Sequence, residues 1–180
     1  KELVLEYVRD YVGELVRAHA RTDGQGDADQ LVGVLKTLAP FGPDAIQKTG
    51  ELLKAGAEED LISFVGEELE KLYQAKESAV GGETMRQLEK MVLLRTIDEI
   101  WMDHIETMEH LRDSVRLRAY GQRDPLVEYK IEGQRLYEQL LGSVKAQVAN
   151  IIFKVDIVRG PQQVFVEEQR PDVTKVSEKQ

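Results

Sequence analysis

The chain of 180 residues contains no cysteine. It therefore has no disulfide framework, no thiolate zinc site and no thiol nucleophile, and a reducing compartment such as the cytoplasm is the default expectation. Only five prolines and 6% aromatics are present, a balance that suits a soluble, mostly helical protein and disfavours a sizeable sheet. Cations are in short supply, with 24 Lys and Arg against 33 Asp and Glu for a net charge of -9. That deficit argues against broad binding to nucleic acid, where neutralising phosphates supplies most of the affinity. No apolar run approaches the ~20 residues that a membrane-spanning helix needs, and Lys1-Glu2-Leu3-Val4-Leu5-Glu6 lacks the basic and apolar regions of a signal peptide.

What the chain does have is apolar spacing of three and four. Leu3, Val4, Tyr7, Val8, Tyr11, Val12, Leu15 and Val16 predict a helix ending near Ala20, before the polar loop Arg21-Thr22-Asp23-Gly24-Gln25-Gly26-Asp27. Lys1 begins inside this pattern with no cap before it, so the chain is expected to be a piece of a longer one. Three shorter helices are predicted over 27–80. Asp27 caps the first, Pro43 opens the second, and Phe41, Phe64 and Tyr73 belong to their core. Gly81-Gly82 then breaks the chain, and Thr84-Met85-Arg86-Gln87 has capping-box spacing.

From there Met85, Leu88, Met91, Val92, Leu94, Ile97, Trp101, Ile105, Met108, Leu111 and Val115 predict one apolar face on a helix of roughly 35 residues, about 50 Å long. Its partner starts at Asp124-Pro125, an N-cap followed by a first-turn proline. The return stripe is Tyr137, Leu140, Leu141, Val144, Val148, Ile151, Ile152 and Val155. A connection this short forces the two helices antiparallel, so the fold class is all-α: an elongated helical hairpin, a small helical side lobe and, over 156–180, an extended tail with a little strand.

Catalytic constellations are hard to find. Gly24-Gln25-Gly26 follows no strand and lacks the further glycine of a phosphate-cradling loop. His104 and His110 are six apart and point to different helix faces. Glu106 and His110 share a face, but as a solvated pair rather than as metal ligands. Ser63, Ser78, Ser114 and Ser143 have no neighbouring base, so neither a catalytic nor a metal site is expected. The turn between the long helices is more distinctive. Arg112, Arg116, Arg118, Arg123 and Lys130 make it basic in an acidic chain, and Tyr120 sits where little local core exists to bury its ring. Contact with another chain, with anionic lipid head groups or with peptide carbonyls are the functional readings; a solvated helix end and local packing of Tyr120 are the plain ones.

The residues from Leu94-Arg95-Thr96-Ile97-Asp98-Glu99-Ile100-Trp101-Met102-Asp103-His104-Ile105 through Leu111-Arg112 to Leu117-Arg118-Ala119-Tyr120-Gly121-Gln122-Arg123-Asp124-Pro125-Leu126-Val127-Glu128-Tyr129-Lys130 resemble SecA, the motor ATPase family of bacterial preprotein translocation. The resemblance implies the end of a long scaffold helix at 1–21, a helical wing at 27–80, a two-helix finger that regulates ATP hydrolysis at 83–155 and a linker at 156–180. It further implies that the fingertip, Arg118, Ala119, Tyr120, Gly121, Gln122 and Arg123, enters the SecY channel and touches the translocating preprotein. Ile97, Trp101, Ile105 and Met108 would pack the finger's base against the scaffold helix and the motor domains.

The family commonly has glycine at the position of Ala119. If positive φ is needed there, alanine costs about 1 kcal/mol. The resemblance puts ATP and magnesium in motor domains outside this chain, so no cofactor is expected within it. The implied location is the cytoplasm, peripherally on the inner face of the plasma membrane. The competing expectation is a stand-alone hairpin adaptor or chaperone that binds peptides or a partner protein; a metal-dependent hydrolase is the remaining class.

Overall fold

The computed structural model describes residues 1–20, 28–118 and 124–155. Six helices follow in order: α1 (Glu2–Ala20), α2 (Ala28–Leu38), α3 (Pro43–Lys54), α4 (Glu58–Val80), α5 (Gly82–Arg118) and α6 (Pro125–Ile152). No strand occurs among the described residues, and the protein is all-α. The tail over 156–180, the loop with Gly24 and Gly26, and the proposed cap Asp27 lie outside them.

Local chemistry explains most of the boundaries. Pro43 occupies the first turn of α3, where its missing N–H needs no partner. α3 stops at Lys54, and the chain turns away past the C-cap Ala55 at Gly56, whose φ of +68° glycine adopts freely. The Asp124 side chain accepts a hydrogen bond from the Leu126 N–H at 2.9 Å and so caps α6. The start of α5 differs from the capping-box reading. The helix is already under way at Thr84, because the chain turns at the single residue Gly81, φ +89°, whose carbonyl accepts from the Met85 N–H. One positive-φ residue turns the chain with no room for a separate cap.

α1 and α4 run antiparallel, as Lys1 meets Glu77, Arg9 meets Glu70 and Arg17 meets Glu58. On α1 the fully buried positions are Val4, Val8, Val12 and Val16, whereas Leu3 is exposed. Leu61, Val65, Leu69 and Tyr73 present the same four-residue spacing from α4. These residues join Leu31, Leu35 and Leu38 of α2, Met85, Leu88 and Val92 of α5, and Val144, Val148 and Ile152 of α6 in one continuous core. Each such side chain contributes roughly 1.5–3 kcal/mol when taken fully out of water. Phe41 and Phe64 are only partly buried against this core, and the Lys48 ammonium lies 4.3 Å above the Phe64 ring. No helix among the described residues is long and apolar enough to cross a membrane.

Candidate functional site: the α5–α6 pair and its root

α5 and α6 are neighbours along much of their length. Gln147 Nε2 donates to Glu99 Oε2 at 3.2 Å, and the Met108 methyl lies 3.4 Å from where a Cβ on Gly133 would stand. Position 99 therefore faces 147 while position 108 faces 133, which makes the helices antiparallel. Near the other end Leu111 and Val115 are buried again.

The sequence pattern on α5 resolves into two faces instead of one. Leu88, Val92 and Thr96 are at most 4% exposed, whereas Ile97, Trp101 and Ile105 are 42%, 47% and 42% exposed. Each member of the second set lies nine residues after its counterpart. At 3.6 residues per turn that is two and a half turns, hence the opposite side of the helix. Spacings of three and four run continuously from one face to the other, so a list of apolar positions cannot separate them. Leu94 belongs with the exposed set, Trp101 stacks obliquely on His104 with ring centroids 5.6 Å apart, and Met108 is half-buried. On α6, Tyr137 and Leu141 are 46% and 39% exposed, unlike the buried Val144, Val148 and Ile152.

Of the fingertip residues, Ala119, Tyr120, Gly121, Gln122 and Arg123 lie outside the described residues, and Arg118 is the last residue of α5. His110 Nε2 is 3.8 Å from Glu106 Oε1, with both side chains more than 70% exposed, the geometry of a solvated pair. Among the described residues no group of three or more His, Asp or Glu is placed to hold a metal ion.

The root of the pair is built from polar groups that the sequence did not single out. Glu89 is only 4% exposed. Its carboxylate accepts from the Tyr73 hydroxyl and pairs with the Arg86 guanidinium at 3.0 Å. Arg86 also reaches Glu77 at 2.5 Å and donates to the Tyr73 oxygen at 2.8 Å. The hydrogen bond from the Lys1 ammonium holds the Glu77 carboxyl below its usual range; burial opposes it, and the Arg86 charge adds a smaller lowering effect. One turn away, the Lys76 ammonium donates to the carbonyls of Ile152, Phe153 and Val155 at 3.0, 3.2 and 2.5 Å. A cation at the negative end of α6 satisfies carbonyls left without helical partners.

α6 is tied to α1 as well. Lys145 donates to Asp10 at 2.6 Å, which raises the lysine pKa, and Asn150 donates to the Tyr11 hydroxyl at 3.3 Å. The signal for Glu89 was available in the sequence: it borders the buried Met85, Leu88 and Val92 stripe and follows Arg86 by three residues. A charge on the rim of a core face needs partners, and one of these, the Tyr73 hydroxyl, comes from α4, which the local pattern cannot show.

Residues 1–156 match the family described as the SecA Wing and Scaffold domain. The protein translocase subunit SecA of Syntrophomonas wolfei is 38% identical over 167 residues, which cover 91% of this chain and 20% of that protein. The protein translocase subunit SecA of Desulforudis audaxviator is 41% identical over 170 residues, covering 91% of this chain and 19% of that protein. The corresponding subunit of Pelotomaculum thermopropionicum is 36% identical over 163 residues. The chain thus spans about a fifth of the length of these relatives, and by the extent of the match over 1–156 it belongs to the SecA family, in its wing and scaffold region.

Proposed function

We propose that this chain is the wing and scaffold portion of a preprotein translocation motor. In this reading α5 and α6 form a finger whose tip, residues 118–123 with Tyr120 foremost, enters the SecY channel, contacts the preprotein and couples ATP-driven motion to its passage. ATP and magnesium are handled by motor domains beyond this chain, and the whole acts in the cytoplasm against the inner face of the plasma membrane. Anionic lipid head groups are a further partner for the basic end of the finger.

The observation that carries the reading is the antiparallel pair of 37 and 28 residues, joined across 119–124, inside a segment that matches the family. Two packed helices with interlocked side chains resist bending, so a displacement at one end reaches the other with little loss. The exposed face with Ile97, Trp101 and Ile105 supports the finger base as a packing surface for parts of a longer protein. The test is transport by the full-length protein carrying Tyr120→Ala. Preprotein transport should fall sharply while the helical circular dichroism signal and the melting temperature stay put. Undiminished transport would overturn the fingertip assignment.

A further inference from the structure

α1 makes little direct contact with α5, although both line the same core. Their connection at the root is polar and runs largely through the last turns of α4. Tyr73 and Glu77, on one side of α4, hold Glu89 and Arg86 of α5, while the side chain of Lys1, just before α1, reaches Glu77. The covalent link between α4 and α5 is Gly81 alone, at φ +89° and exposed.

We propose that Glu89 is a positioning residue that sets the tilt of the α5–α6 pair relative to the wing, by holding the Tyr73 hydroxyl of α4 and the neighbouring Arg86 guanidinium on one buried carboxylate. This rests on reading α5–α6 as the finger, and it names the residues through which α4 steers it. Apolar contacts are non-directional, so the core around Met85 and Leu88 tolerates small rotations of one helix over another. Hydrogen bonds are directional and fail within tens of degrees of misalignment. Tyr73 and Glu77 of α4 and Arg86 and Glu89 of α5 close a ring of polar contacts, which favours one orientation of the two helices. A buried ion pair is a weak source of stability beside an apolar replacement, and its best-attested use is to fix register. Gly81 leaves the angle between α4 and α5 free, so an orienting contact is needed beside it.

The absence of cysteine permits a direct measurement in the 180-residue chain. Nitroxide labels at Asp44→Cys on α3 and His110→Cys on α5, both exposed positions, report the distance from wing to finger by double electron–electron resonance. His110 lies 21 positions beyond Glu89, so at 1.5 Å per residue a tilt of about 10° at the root moves the label by about 5 Å. Glu89→Gln, which keeps the shape and removes the charge, should shift or broaden the distance distribution by that order while the helical signal is kept. Tyr73→Phe, which removes one hydroxyl, should do the same to a smaller extent.

An unchanged distribution in Glu89→Gln, with only a lower melting temperature, would reduce Glu89 to a stabilising contact and overturn the proposal. If Glu89→Gln fails to fold, Tyr73→Phe decides by the same criterion. Val65→Ala is the control, since it opens a cavity in α4 away from the junction; an equal shift there would mean general loosening and would also overturn the proposal. Neither a channel nor ATP is involved. Failure here leaves the translocation reading standing, and failure of the Tyr120→Ala transport test leaves this measurement unaffected.

Discussion

Leu88, Val92 and Thr96 vanish into the body of the protein, while Ile97, Trp101 and Ile105, each nine residues further along the same helix, keep two-fifths or more of their surface in water. Both sets are chiefly apolar and both recur every four residues. The first is covered by helices of the described chain. The second has no such cover, and contiguous exposed apolar surface of this kind marks a contact surface. α5 therefore carries two largely apolar faces, one buried and one exposed, and composition does not distinguish them.

The largest test of that contrast lies at its buried extreme. Tyr73→Ala removes a fully buried ring and takes one donor from the Glu89 carboxylate, so urea unfolding should show a loss of about 4 kcal/mol or more. Leu35→Ala, also fully buried but away from the polar root, should cost about 3 kcal/mol by the same measurement. Trp101→Ala should cost no more than about 1 kcal/mol in this chain, because nearly half of the indole is already hydrated. In a full-length protein the same substitution should weaken attachment of the finger base, read as increased proteolysis of this segment. If Trp101→Ala unfolded the isolated chain as readily as Tyr73→Ala, the two-face description would be wrong.

Smaller effects sharpen the comparison. Gly66 on α4 has open space where a Cβ would go, so Gly66→Ala should raise the melting temperature by the equivalent of about 1 kcal/mol, from helix propensity alone. Gly56 has equally open space but a φ of +68°, so Gly56→Ala should cost about 1 kcal/mol through backbone strain. The smallest effect is electrostatic. Glu77 binds Lys1 and Arg86 as the anion, and its folded pKa lies below the usual 4.5. Its contribution is complete above that value and is lost as pH falls through the depressed one. Melting temperature should therefore drop on acidification between about pH 5 and 3, and Glu77→Gln should flatten the dependence.

Much of this architecture is legible in the chain itself. Asp124-Pro125, Pro43 and the Gly81-Gly82 break place helix ends by local chemistry that operates wherever those residues occur. The four-residue ladder from Val4 to Val16 is likewise a local signal that the structure buries as the spacing implies. The start of α5 was misplaced at Thr84 because a capping box and a one-residue glycine turn are alternative ways to begin a helix, and only the path of α4 chooses between them. The root was harder still. Lys76, Glu77 and Arg86 look like ordinary surface charges until α1 and α6 are brought beside them.

The residues alone determined that the protein is helical, where its helices begin and end to within a turn, and which family it belongs to, since these follow from backbone chemistry and from side chains read in order. Which apolar side chains are hidden and which are presented, and that a lone carboxylate joins α4 to α5, was decided only when separate segments packed together. Burial and polar pairing depend on neighbours in space, and those neighbours lie up to 139 positions apart along the chain.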